Sequence, residues 1–163
     1  RNDKPGKFLV DHRGSATLQQ IRSRALQAQA ETGRRLRTII IDQFDKLMPE
    51  RFSANEASNS KSISVGLNTL AKELDVAVFV LIQVNGRKRS SPTERFTKND
   101  IFGTSGPEQD AGQIWLMQRV PETTWSKDGV LQLEVSIELS RAGVGGTFSM
   151  AHDGPTSTIK AEF

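Results

Sequence analysis

Apolar positions along the chain fall into distinct patterns, and each predicts a different element. Leu18, Ile21, Ala25 and Ala28 recur at helical spacing within RGSATLQQIRSRALQAQAETG. Thr17 and Gln20 fit a capping box at its start and Gly33 closes it, so a helix is expected. Ile63, Leu67, Leu70 and Leu74 share one face of a second helix over ISVGLNTLAKELDV. The polar stretch before it, PERFSANEASNSKS, reads as a loop. RTIIID, VAVFVLIQVN and QIWLMQR are instead short, continuously apolar runs. They predict strands buried on both faces, as in parallel sheets covered by helices. KFLVDH predicts a further short strand over Lys7 to His12. Trp115 falls in one apolar run and is expected in the core, while Trp125 falls in a loop.

The tail changes character. VLQLEVSIEL alternates apolar and polar residues, the mark of an antiparallel strand with one wet face. RAGVGG predicts a turn, and TFSMAHD and TSTIKAEF continue as hairpin strands. Strand, helix, strand, helix, strand and then hairpins is an α/β order. It predicts a mainly parallel sheet flanked by helices, with antiparallel C-terminal strands, in one domain over residues 1–163.

Composition narrows the chemistry. The 163 residues include 22 Lys and Arg against 19 Asp and Glu, a net charge of +3. That permits a nucleic-acid partner without demanding one. Cysteine is absent, which excludes disulfides, thiolate metal sites and cysteine nucleophiles. With His12 and His152 as the only histidines, a His-rich metal site is not expected, and both read as surface or loop residues. No apolar run reaches membrane-spanning length, so a cytoplasmic protein is expected. The chain opens on RNDKPG without Met and reads as a fragment.

In open parallel sheets ligands bind beyond the carboxyl ends of the strands. Asp11, Asp42 and Gln83 fall there. Asp42 suits a Mg-nucleotide carboxylate, holding the metal through water, and equally a plain strand-end or capping acid. Asp45 reads as a turn residue. Gln83 could touch a γ-phosphate or an attacking water, or bond to loop backbone. The loop GRKRSSPTERFTKNDIFGTSG carries Arg87, Lys88, Arg89, Arg95 and Lys98. It suits phosphate-backbone contacts, and equally a solvated charge run. Arg141 at a strand tip could reach a neighbour's nucleotide as an arginine finger, or sit on a surface hairpin. GVGG lacks the strand before and helix after that a phosphate loop has.

Together these segments resemble the C-terminal RecA-like motor domain of the DnaB-type replicative helicases. RTIIIDQFDKLM resembles the family's Walker B segment. GLNTLAKELDVAVFVLIQVN resembles its helix and sensor strand, DIFGTSGPEQDAGQIWLMQR its DNA-loop region, and IELSRAGVGGTFSM its finger hairpin. The resemblance covers nearly the whole chain and implies a RecA-like P-loop NTPase core working with ATP and Mg²⁺. It implies that Asp42 is the Walker B carboxylate near Mg²⁺, Gln83 the γ-phosphate sensor, and Arg141 the trans-acting finger of a hexameric ring. The loop from Gly86 to Ser105 would face single-stranded DNA, with Arg87, Lys88, Arg89, Lys98, Phe102, Gly103 and Ser105 as contacts. Helicase loader and primase are implied partners.

The chain also departs from that pattern. Leu139 stands where the family's finger strand carries Lys, and Phe102, Gly103 and Thr104 replace the family's Arg-Glu-Ser. Asn85-Gly86 replaces Asn-Arg at the sensor, with Arg87 adjacent. No G-x-x-x-x-G-K-[ST] run occurs between Arg1 and Phe163, and the catalytic Glu that follows it is absent too. The Walker A strand is therefore missing, and this chain alone is not expected to hydrolyse ATP. Its removal would leave a slot in the sheet, which either closes or leaves a bare edge. A recombinase-type RecA-like core, or a non-catalytic DNA-binding or oligomerisation module, is the alternative.

Overall fold

A computed structural model describes residues 6–84, 95–101, 105–120 and 129–161. It divides into two compact units, Arg1–Ile82 and Gln83–Phe163.

In the first unit, β1 (Ala16–Thr17) leads into α1 (Leu18–Thr32), then β2 (Thr38–Asp42), β3 (Leu47–Met48), α2 (Glu56–Leu74) and β4 (Ala77–Leu81). The predicted capping box forms: the Thr17 side chain accepts from the Gln20 N–H, and the Gln20 side chain accepts from the Thr17 N–H at 2.9 Å. Gly33 ends the helix at φ 60, a left-handed conformation that glycine adopts without the Cβ penalty. Both β2 with β4 and β1 with β3 pair in parallel. Phe44, Leu47, Ile63 and Leu67 are buried together, and Leu18, Ile21, Ile41, Val78, Val80 and Ile82 pack against them. Each fully buried side chain of this size contributes about 1.5–3 kcal/mol.

Four expectations need correction here. KFLVDH forms no strand; Phe8, Leu9 and Val10 are exposed, because a short apolar run without a pairing partner has nothing to bond its backbone. The second helix starts at Glu56, seven residues earlier than its apolar face, because the Asn55 side chain accepts from the N–H groups of Ala57 and Ser58. β2 and β4 are covered on one face only: Ile39, Ile41, Val78 and Val80 are half-buried, while Ile40 and Phe79 are 59% and 53% exposed. And the described strands fall into separate sheets. Among the described residues β2 and β4 pair only with each other, so their outer edges are bare.

A cross-link ties the two helices. Arg22 Nε donates to Glu73 Oε1 at 2.7 Å. The bonded guanidinium holds the Glu73 carboxyl below its ordinary value of 4.5. A depressed carboxyl stabilises the fold above its unfolded value and loses that contribution as pH falls through the folded one. The α1–α2 link is thus intact above pH 4.5 and released only in stronger acid. NMR titration of the Glu73 carboxyl is expected to show the low value, with return to the ordinary range in Arg22→Ala.

The second unit holds α3 (Ser105–Asp110) and a four-stranded antiparallel sheet in the order β5 (Gln113–Arg119), β6 (Val130–Ser140), β7 (Gly146–Asp153), β8 (Thr158–Ala161). The predicted hairpins are present. β5 is corrected in two respects: its only described partner is the antiparallel β6, and it alternates. Ile114, Leu116 and Gln118 are buried, whereas Trp115 and Met117 are each 55% exposed. Trp115 is therefore not core. Its indole N–H donates to Gln113 Oε1 at 3.1 Å. His152 lies half-buried on β7 rather than in a loop, while His12 is exposed.

Candidate functional site

Asp42 is the last residue of β2 and is exposed. Its position is fixed from both sides. Ile41 before it packs on the core, and Phe44 after it is buried in that core as the chain turns through a short 3-10 segment, Phe44–Lys46. The carboxylate thus sits where a rigid strand meets solvent, on the wall of an open groove of about 790 Å³ also lined by Ile40, Gln43 and Lys46. The Asp42–Gln43 peptide is cis. Asp45 lies in the 3-10 segment, as a turn residue should.

The parallel register sets Asp42 opposite Leu81. Gln83, also exposed, follows two residues beyond the end of β4. Asp42 therefore terminates β2 at its carboxyl end, where open α/β sheets bind ligands, while Gln83 begins the second unit and ends no strand. Asp11 ends no strand, although it lines the same groove as Asp42. It lies outside any strand and is exposed, and its backbone and side-chain bonds come from Arg13 (Nε to Oδ1, 3.0 Å). That guanidinium lowers its carboxyl to about 2.

Among the described residues no group of three or more His, Cys, Asp or Glu side chains could hold a metal ion. A zinc or calcium cage built from protein ligands needs such a group. Magnesium does not, because it keeps several waters and is shared between one or two carboxylates and substrate phosphates. A lone, exposed, strand-end Asp42 fits that second arrangement.

Arg141 directly follows β6 and is exposed. Its backbone N–H donates to the Gly112 carbonyl at 3.0 Å. Its Nε donates to the Ala111 carbonyl at 3.0 Å and its Nη2 to that of Gln109. The guanidinium therefore lies on the carbonyls that end α3, where a cation is favoured by the unpaired acceptors. The turn after it depends on glycine: a Cβ at Gly145 would lie 2.8 Å from the Ile137 carbonyl oxygen. That close approach accounts for glycine at position 145.

Of the expected nucleic-acid contacts, Lys98 is half-buried in a 3-10 turn, Lys98–Asp100. Ser105 begins α3. Arg87, Lys88, Arg89, Phe102 and Gly103 lie outside the described residues, as does Trp125. The structure adds Gln118 and Glu134, which no sequence pattern marked, to Arg95 of the basic loop. Gln118, buried on β5, and Glu134, opposite it on β6, are joined to Arg95 and Phe96. Only the strand register brings these four together.

Comparison with known proteins gives a consistent picture. The family model described as the DnaB-like helicase C terminal domain matches residues 3–161. The replicative DNA helicase DnaB of Pasteurella multocida (strain Pm70) is 29% identical over 155 residues, 95% of this chain and 33% of the relative. This chain thus spans about a third of the length of the curated relatives it matches. Among solved structures, a DnaB-like replicative helicase studied for its interactions with primase superposes with a TM-score of 0.73 at 27% identity. That match covers 86% of this chain and 33% of the other. A second solved structure, described as an ATPase domain, superposes with a TM-score of 0.79 at 25% identity, covering 91% of this chain and 52% of the other.

Proposed function

Because the chain belongs to the DnaB-like helicase C-terminal domain family, we propose that it forms part of the ATP-driven motor of a hexameric replicative helicase. That motor translocates on single-stranded DNA and unwinds the duplex ahead of it. The observation that carries this reading is the parallel β2–β4 pair, whose first strand ends in exposed Asp42 on the wall of an open groove.

In this reading Asp42 would hold Mg²⁺ through water. Bound Mg²⁺ supplies charge neutralisation during phosphoryl transfer. Gln83 contacts the γ-phosphate or the attacking water, and its position just before the basic loop links that contact to DNA. Arg141 reaches the nucleotide of the adjacent subunit. The phosphate cradle comes from outside Arg1–Phe163, so these residues alone turn over no ATP. The protein is cytoplasmic; primase and a helicase loader are its partners. Among the described residues no helix is long and apolar enough to cross a membrane.

Strand displacement on a forked duplex tests the proposal. The complete protein, phosphate loop included, is expected to unwind the fork with hydrolysable ATP and Mg²⁺. Its ATP turnover should rise with single-stranded DNA. Unstimulated turnover without unwinding would reject the helicase assignment.

A further inference from the structure

We infer that Gln118 and Glu134 are positioning residues that present Arg95 to a phosphate of single-stranded nucleic acid. This rests on the DNA-motor reading above and adds to it a site built on the β5–β6 sheet.

The Gln118 side chain is only 6% exposed, and both ends of its amide are used. Its Oε1 accepts from the Phe96 backbone N–H at 2.9 Å, and its Nε2 donates to Glu134 Oε1 at 3.2 Å. Gln118 and Glu134 are direct cross-strand partners. Glu134 Oε1 also takes Arg95 Nε at 2.8 Å, with the Glu134 side chain 14% exposed and that of Arg95 56% exposed. A largely buried carboxylate needs charge and hydrogen-bond partners. Gln118 and Arg95 supply them, and in return residues 95 and 96 are fixed to the sheet. The next residues are fixed as well: Thr97 and Asp100 form a reciprocal cap, and Ile101 bridges Val84.

The consequence lies in the guanidinium. Arg95 is held through Nε by Glu134, and its side chain is 56% exposed. An arginine pinned in this way and half open to solvent offers a fork that matches phosphate oxygens. Lys98, three residues on, adds a second positive charge on the same anchored segment. Nothing in the run SPTERFTKND marks Arg95 above its basic neighbours; the sheet selects it.

The test is binding of the 163-residue chain to a labelled dT oligonucleotide across a salt series. Each phosphate contact on a single strand contributes about −0.7 to the slope of log Kobs against log[salt]. Arg95→Ala and Gln118→Leu are each expected to make the slope shallower by about 0.7. Lys160→Ala, an exposed charge on β8, should leave it unchanged. Hydrogen exchange gives a second readout: the Phe96 amide should lose protection in Gln118→Leu while the Leu116 and Val135 amides keep theirs. An unchanged slope in Arg95→Ala, or an unchanged Phe96 exchange rate in Gln118→Leu, would overturn the inference while the motor reading stands. Displacement of the oligonucleotide by ATP at equal phosphate concentration would overturn it too, since the phosphate recognised would then be the nucleotide's. No binding by the wild type at low salt would overturn the inference together with the DNA-binding part of the motor reading.

Discussion

Replacing Arg141 by alanine in the complete protein is expected to slow ATP turnover by on the order of 10³-fold or more, with nucleotide still bound. A finger acts on charge that develops in the transition state, so its loss appears in kcat and hardly in affinity. The structure adds a condition. The guanidinium rests on the carbonyls of Gln109 and Ala111, and to act as a finger it would have to exchange these neutral acceptors for phosphate oxygens. The exchange is favourable, because charge-assisted guanidinium–phosphate bonds are roughly twice as strong as neutral ones. Arg141→Lys is expected to recover little, since an ammonium cannot reproduce the planar fork. The exposed arginine contributes about 1 kcal/mol or less to folding. A thermal melt that barely moves would therefore separate lost catalysis from lost structure.

Asp42→Asn is the second large effect. A carboxylate that holds a metal through its water shell typically contributes roughly 10- to 100-fold to metal affinity or activity. The amide is nearly isosteric and the site is exposed, so β2 and its packing should survive. The expected result is a loss of about 10²-fold in ATP turnover, partly recovered at high Mg²⁺ because the metal binds more weakly. Full turnover in Asp42→Asn at low Mg²⁺ would return Asp42 to the role of a strand-end acid.

Much of this was legible in the sequence where one local rule decided the outcome. The capping box at Thr17 and Gln20 and the left-handed Gly33 set the bounds of α1. RTIIID ended in Asp42 as expected. VLQLEVSIEL formed the expected antiparallel strand, but without the expected wet face, since Glu134, Ser136 and Glu138 are half-buried and only Gln132 is exposed. What escaped depended on partners that sequence does not list. Asn55 captured two free N–H groups and drew α2 through a polar stretch. KFLVDH had strand-like residues but no neighbour to pair with. The apolar run IWLM hid an alternation that puts Trp115 in solvent and Gln118 in the interior. The Gln118–Glu134–Arg95 network arises only once β5 and β6 are in register. At the candidate site, the strand end at Asp42 was readable from the sequence, whereas Asp11 ends no strand and Gln83 lies two residues past β4. The docking of Arg141 on the end of α3 was not, because it joins residues 30 and 32 positions apart.

Asp42 and Arg141 are proposed to act on the same nucleotide from different subunits. Mixing two inactive forms of the complete protein tests it most directly. Asp42→Asn and Arg141→Ala rings are dissociated, combined and reassembled, and ATP turnover is measured with single-stranded DNA present. Turnover well above that of either variant is predicted, because some interfaces then pair an intact Asp42 with an intact Arg141. Turnover no greater than the mean of the two variants, in rings shown to contain both, would contradict it.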